Sequence, residues 1–176
     1  YQRVNLEWSI AGDVRYLRAN LQYQQYLPIT NRFTLGLNAE LGWGKGLGNK
    51  PYPIFKNFFG GGLGSVRVFE QGSLGVVDVT NNYIGGNRKF NVNAELYVPV
   101  PGGGNDKTLR LFGFMDAGNV WGESEKIDAG SLRSSTGIGL SWISPVGPLK
   151  LSWGTPLRSK PNDRIQKFQF QIGTAF

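Results

Sequence analysis

The stretch that decides the fold is Phe168-Gln-Phe-Gln-Ile-Gly-Thr-Ala-Phe176. Successive side chains of an extended strand point to opposite faces, so Phe168, Phe170, Ile172 and Phe176 share one face and the intervening polar residues share the other. Two kinds of strand fit this pattern. One is the edge of a soluble sandwich, and the other is a membrane strand with lipid on its apolar side and a watery lumen on its polar side. The period alone marks half-burial and does not distinguish them.

The same alternation recurs in seven earlier segments and predicts eight strands in all. Those segments are 3–10, 14–27, 33–43, 88–98, 109–117, 132–142 and 149–154. A soluble barrel with its apolar residues inside would show the same period, so other features of the sequence have to identify the solvent on each side.

Three features favour lipid outside and water inside. The polar faces combine Gly, Asn, Gln and Ser with charges of both signs, and aromatic residues such as Trp8, Trp43 and Trp142 lie near strand ends, as in interfacial girdles. The connections after strands three, five and seven are longer than most of those after strands two, four and six, although the short turn after strand one breaks the rule. The sequence therefore predicts an all-β, transmembrane, antiparallel up-and-down β-barrel of about eight strands.

Composition narrows the function classes. No run approaches the ~18 consecutive apolar residues of a spanning helix. The chain has no Cys and no His, which removes disulfides, thiolate ligands and the commonest general base and metal ligand. The net charge of +7 is spread without a dense basic run, which argues against nucleic acid. We therefore expect no enzyme, no catalytic residues, no cofactor and no metal.

Domain organisation is expected to be simple. Residues 1–176 form one β-barrel domain, and the start at Tyr1, almost inside a strand and without a signal peptide, suggests a mature or excised piece of a longer protein. A long segment, 44–86, separates strands three and four. Segments of this length inside compact folds are usually functional or disordered. Its aromatic residues supply apolar area that can order a loop, so we expect it to pack on something.

Two inward acids and one arginine form the candidate site. Glu95 and Asp116 lie on the polar faces of strands that are consecutive in sequence, and an inward charge is costly unless it is paired. The pair could serve as a general acid and base, but no nucleophile or ligand set accompanies it. The better hypothesis is that both acids receive Arg67, in the long segment at Ser65-Val66-Arg67-Val68-Phe69, whose planar fork suits carboxylates.

Five stretches also resemble a known family. They are 57–62 with 65–69; 85–87 with 93–96; Gly113-Phe-Met-Asp-Ala-Gly-Asn-Val-Trp121; 132–140 with Ser144-Pro-Val-Gly-Pro-Leu149; and the strand ending at Phe176. In this order they resemble the C-terminal barrel half of the BamA family of outer-membrane protein assembly factors, within the surface-antigen and POTRA-transporter superfamily.

The resemblance carries its own expectations. It implies a Gram-negative outer-membrane protein that folds and inserts client barrels through a weak strand seam, with the Arg67 loop in the lumen and Glu95 and Asp116 receiving it. Implied partners are outer-membrane lipid or lipopolysaccharide, unfolded outer-membrane protein clients and assembly-complex lipoproteins. POTRA domains and the first half of a barrel of about sixteen strands are not in this sequence. The family's loop motif reads Val-Arg-Gly-Phe, and Val68 replaces its glycine, which is costly if the tip requires a positive φ.

Other readings remain open at this stage. A TamA-like factor, a two-partner secretion barrel and a small structural or adhesive barrel share the strand pattern, whereas an outer-membrane lipase or protease is least favoured because His is missing. A closed barrel of about eight strands encloses little more than its own side chains. If these strands close by themselves, we expect the 44–86 segment to lie outside or be disordered and the Arg67 contacts to be lost.

Overall fold

The computed structural model describes residues 1–102 and 108–172. In chain order its strands are β1 (Gln2–Ser9), β2 (Tyr16–Pro28), β3 (Thr34–Gly46), β4 (Val76–Val77), β5 (Tyr83–Gly85), β6 (Arg88–Pro99), β7 (Leu109–Trp121), β8 (Arg133–Ser144), β9 (Gly147–Arg158) and β10 (Phe168–Ile172). Two short 3-10 helices, Ile54–Lys56 and Ala129–Ser131, complete the set. In the part of the chain described, neither helix is long and apolar enough to cross a membrane.

Eight of the strands form one antiparallel sheet in the order β1-β2-β3-β6-β7-β8-β9-β10. Each strand pairs with the next long strand along the chain, which is the predicted up-and-down arrangement. Because partners across a ladder point to the same face, the register joins apolar to apolar residues, as in Val4 with Leu21, and polar to polar residues, as in Asn38 with Asn93. Each of the eight predicted strands thus has a counterpart in the sheet.

The sheet is open. Within residues 1–102 and 108–172, β1 pairs only with β2 and β10 only with β9. The expected displacement of the long segment depended on the strands closing by themselves, and that condition is not met. The segment instead lies against one face of the sheet, called the inner face below, which carries Glu95 and Asp116.

The opposite face, called the outer face below, is apolar and exposed. Leu6 on β1 is 61% exposed, and Met115, in the middle of β7, is 58% exposed. Other large apolar residues of this face that are exposed to a similar degree are Val4, Trp8, Ile138, Trp153, Phe168, Phe170 and Ile172. A continuous apolar surface of this kind is an aggregation hazard in water and an ordinary surface in lipid.

The inner face buries polar residues beneath the long segment. Its buried polar side chains include Asn91, Asn93, Asp116, Ser135, Ser152 and Gln169. Two glycines of β8 leave room for aromatic rings of β7: a Cβ at Gly139 would lie 2.2 Å from Cζ of Phe112, and one at Gly137 would lie 2.7 Å from Cζ of Phe114. The two inward rings therefore occupy the space above these glycines.

The long segment is more ordered than the sequence predicts. β3 continues to Gly46, so the segment begins at residue 47, three residues later than the predicted start at 44. It then contains the helix Ile54–Lys56 and the two-stranded sheet of β4 and β5, neither of which was predicted. Isolated bridges between Phe58 and Gly86 and between Gly60 and Leu74 fold the segment back on itself.

Candidate functional site

The innermost part of the long segment is residues 65–69, called the tip below. All five of its side chains are buried. Val66 and Phe69 pack with Leu74 and Val120 in one cluster, whereas Val68 packs with Tyr97, Phe112 and Phe114 in a second. The tip therefore sits between two apolar clusters, and Arg67 is placed between them.

Val68 adopts the positive φ that the family's Val-Arg-Gly-Phe motif raised as a possibility for this position. Its φ is 79°, in the left-handed region that disfavours β-branched residues. Its side chain is only 1% exposed, and its Cγ2 would lie 3.0 Å from a Cβ placed on Gly154 of β9. The tip keeps a positive φ without glycine, and the valine methyl groups fill the space above a glycine of the sheet.

Arg67 makes a two-pronged contact with Asp116. Its Nε donates to Oδ2 and its Nη2 to Oδ1, each at 2.7 Å, and its backbone N–H also donates to Oδ2 at 3.0 Å. Arg67 is 3% exposed and Asp116 1%. A bidentate pair of this geometry adds orientation as well as attraction, because the fork fits the carboxylate in one plane.

Glu95 receives the remaining side of the guanidinium. Arg67 Nη1 donates to Glu95 Oε1, and Tyr97 donates its hydroxyl to Glu95 Oε2. Lys150 Nζ lies 3.1 Å from both carboxylate oxygens and 4.8 Å from the centre of the Phe112 ring. The structure therefore brings Arg67, Glu95 and Asp116 together, with Tyr97 and Lys150 as further members.

The sequence reasoning did not single out Lys150 or Tyr97. The alternation pattern places both residues on polar faces. An inward lysine is costly without an anionic partner, so the sequence could have indicated that Lys150 pairs with a carboxylate. The alternation pattern shows which face a residue lies on, but it does not show that two residues of that face are close. Glu95 on β6 and Lys150 on β9 are separated by β7 and β8 in the sheet order, so their contact was not predicted.

The buried charges balance within the cluster. Arg67 and Lys150 face Glu95 and Asp116, so two cations meet two carboxylates. The guanidinium also stacks over Phe114, with its carbon 4.1 Å from the ring centre. Burial acts to lower the pKa of Arg67, but the hydrogen bonds and charge of Asp116 outweigh it and the pKa is raised. The arginine therefore stays charged.

Amide side chains fix the tip on its other side. Asn93 Nδ2 donates to the carbonyl oxygen of Ser65 at 2.5 Å. Its Oδ1 accepts from Asn38 at 2.9 Å and from Asn91 at 3.0 Å. Asn93 is held by neighbours on β3 and β6, so it reaches the tip from a fixed position. Sequence reasoning placed these amides on the lumen face but assigned them no role.

The strand predicted at 168–176, called the closing strand below, corresponds to β10. Phe168, Phe170 and Ile172 point to the outer face and are exposed, and they pair in register with Trp153, Leu151 and Leu149 of β9. Phe176 lies outside the described residues. Between these aromatic residues, Gln169 points to the inner face and is buried.

The arrangement supports anchoring of the tip to the sheet. Among residues 1–102 and 108–172, no group of three or more acidic side chains is placed to hold a metal ion. Each carboxylate of the cluster already accepts hydrogen bonds from arginine, lysine or tyrosine. These contacts fix the tip of a long loop to the inner face of the sheet.

An antiparallel sheet with an apolar outer face and a buried polar inner face defines the chain as a membrane β-barrel protein. Residues 1–176 match the Omp85 superfamily domain, and the chain belongs to that superfamily.

Individual relatives agree with the BamA resemblance. The chain is 41% identical over 203 aligned residues to the outer membrane protein assembly factor BamA of Neisseria meningitidis serogroup B, covering 98% of this chain and 26% of that protein. It is 31% identical to the sorting and assembly machinery component 50 homolog of Bos taurus, covering 99% of this chain and 40% of that protein. The chain thus spans well under half of either relative.

A solved structure has the same fold. BamA from Haemophilus ducreyi, crystallised without POTRA domains 1–3, superposes with a TM-score of 0.86 at 26% identity, covering 96% of this chain and 37% of that one. The prediction of a transmembrane antiparallel barrel fold of the BamA type is therefore confirmed, with the strands of this chain forming one open part of it.

Proposed function

We propose that this chain is the C-terminal barrel half of an outer-membrane protein assembly factor, a non-catalytic protein that folds and inserts client β-barrels. The observation that carries the proposal is the tip held against the inner wall by Arg67 with Asp116 and Glu95. Relatives named as assembly factors, at up to 41% identity over nearly the whole chain, support it over the translocation and adhesion alternatives.

The location we propose is the bacterial outer membrane. The BamA relative is 41% identical, whereas the animal assembly-machinery relatives of Mus musculus and Bos taurus are 28% and 31% identical. The partners that follow are outer-membrane lipid, unfolded outer-membrane protein clients and the lipoproteins of an assembly complex. We also propose that the complete protein carries POTRA domains and the first half of the barrel.

The proposed mechanism uses the edge of β10, where the complete barrel would have a weak seam between its first and last strands. Antiparallel strands present unpaired N–H and C=O groups at a sheet edge, and such an edge recruits another strand. β10 pairs with β9 on one side and, within the described residues, with no strand on the other. An unfolded client strand would pair there, and its folding energy would drive insertion. The Arg67 loop would hold the inner wall in shape while the seam opens.

The test replaces Arg67 with alanine in the full-length protein. Removing one partner of a buried ion pair leaves the other charge unpaired and costs about 3–5 kcal/mol. We expect release of the tip, seen as protease cleavage within 65–69, and a fall in the rate at which a client barrel is assembled in proteoliposomes. Arg32→Ala, at an exposed turn on the other end of the strands, is the matched control and should change neither quantity. Unchanged tip protection with unchanged assembly would refute the proposed role.

A further inference from the structure

Gln169 joins the closing strand to the tip. Its Nε2 donates to the carbonyl oxygen of Phe69 at 2.7 Å, and its Oε1 accepts from the backbone N–H of Val68 at 3.2 Å. The side chain is 6% exposed. One amide therefore satisfies both a donor and an acceptor of the tip backbone, across about a hundred residues of sequence.

Backbone hydrogen bonds also join the tip to the segment that leads into β10. Glu70 N–H donates to the carbonyl of Arg164 at 2.9 Å, and Gln166 N–H donates to the carbonyl of Val68 at 2.6 Å. Phe69 and Ile165 form an antiparallel bridge between them. The tip and the segment entering β10 thus form a short antiparallel ladder, which Gln169 extends into the strand itself.

Neighbouring residues of the tip are held by different strands of the sheet. Arg67 is fixed to β7 through Asp116, whereas its neighbours Val68 and Phe69 are fixed to β10 through Gln169. β8 and β9 lie between these strands in the sheet. The tip is therefore a brace that spans the two intervening strands on their inner side.

Hydrogen bonding explains why an amide suits this position. A buried backbone N–H or C=O that loses its partner carries the full cost of its desolvation. Gln supplies one donor and one acceptor on a single planar group, which matches the Phe69 carbonyl and the Val68 N–H. An apolar side chain of similar size would fill the volume and leave both backbone groups unpaired.

We propose that Gln169 is a positioning residue that ties the closing strand to the Arg67 loop, so that β10 and the tip move as one unit when the seam opens. The joint movement of β10 and the tip rests on the proposed function, because it takes place only if the seam opens. Its structural part, the coupling of the tip to β10, stands separately and is tested first.

The first test compares Gln169→Leu with Gln171→Leu in the full-length protein in lipid bilayers. Gln171 is the next inward residue of β10, and its side-chain oxygen has no hydrogen-bond partner among residues 1–102 and 108–172, which makes it a matched control. We expect Gln169→Leu to raise amide exchange in 65–70 and in 164–169 by roughly ten-fold, because local opening governs exchange. The β2–β3 pairing should be unaffected.

Gln171→Leu should leave exchange in 65–70 at the level of the parent protein. Equal effects of the two substitutions on the tip, or no effect of either, would overturn the coupling. This readout does not depend on assembly activity, so it decides the coupling even if the protein proves to have another function.

The second test keeps Gln169 and locks the ladder covalently. The chain has no Cys, and Glu70 and Arg164 lie opposite each other beside the Phe69–Ile165 bridge, so the pair Glu70→Cys with Arg164→Cys is available. Opposite residues of an antiparallel pair have Cα atoms about 5.5 Å apart, within the range that a disulfide spans.

If the tip and β10 move together, oxidised and reduced protein should assemble a client barrel in proteoliposomes at the same rate. A rate that falls on oxidation and returns on reduction would mean that the tip must leave the closing strand, and would overturn the proposal. A Glu70→Cys single variant under the same redox conditions controls for the reagents. If even the parent protein assembles no client, the proposed function fails while the exchange result still stands.

Discussion

The two faces of the sheet are stabilised by different kinds of interaction. The outer face exposes large apolar side chains such as Leu6 and Met115, whereas the inner face buries charges and amides, among which Arg67 and Asn93 are matched to specific groups. Outer residues gain their free energy from removal of apolar surface from water into lipid, which is non-directional. Inner residues gain theirs from directional hydrogen bonds and paired charges. Specificity in this protein therefore lies on the polar side.

The largest effect expected from breaking this contrast is at Asp116. Asp116→Ala leaves the Arg67 guanidinium buried with only Glu95 opposite, and loss of one member of a buried pair costs about 3–5 kcal/mol. Met115→Ala, one residue away on the outer face, removes only exposed surface. Heat unfolding in micelles, followed by the gel mobility of folded and boiled protein, measures both. Similar losses for the two variants would contradict the division between the faces.

An intermediate effect is expected for charge placed on β1. Leu6→Lys puts a cation on the outer face, and a lysine there costs about 2–4 kcal/mol near the bilayer midplane. Asn5→Lys places the same cation one residue earlier, on the inner face at an exposed position, and should be nearly neutral. The folded fraction after refolding into lipid vesicles measures the difference.

In a soluble protein the exposed Leu6 would tolerate lysine as well as Asn5 does. Equal folded fractions for the two variants would therefore argue against lipid at the outer face. The pair tests the solvent directly, because the substitutions differ only in which side of the strand carries the charge.

The smallest effect concerns the tip backbone. At Val68, with φ of 79°, glycine relieves strain that alanine keeps, so Val68→Gly should be more stable than Val68→Ala by about 1 kcal/mol. At Val66, which is equally buried and has a negative φ, the order should reverse, with alanine more stable by about 0.5–1 kcal/mol. Amide exchange of the tip measures all four variants. The same order at both positions would contradict the strain at Val68.

Much of the fold was predictable because its signal is local. Alternation along each strand assigned Glu95 and Asp116 to polar faces and Leu6 and Met115 to apolar faces, and the predicted pairing of consecutive strands is found for β1 with β2 and for β6 with β7. Strand ends were less predictable: β3 and β7 run on to Gly46 and Trp121, where the alternation includes glycines or meets a loop. The small sheet of β4 and β5 gave no periodic signal, because strands of two and three residues are too short to show one.

The site was only partly visible in the sequence. The need of two inward carboxylates for a cation pointed to Arg67, and the structure brings the three together, but Lys150, Tyr97, Asn93 and Gln169 were not assigned roles. The alternation pattern had placed these residues on the inner face, but it does not show which residues of that face contact each other. Which inward residues meet depends on how the strands lie beside one another and on where the long segment rests.

The sequence by itself determined which residues of each strand share the apolar face and which share the polar face, because alternation of side chains is a property of neighbouring residues. Only the tertiary structure decided that the sheet is open within residues 1–102 and 108–172, that the tip lies on its inner face, and that one tip joins β7 to β10. Those contacts join residues 28 to 101 positions apart, and their geometry depends on the path of the whole chain between them.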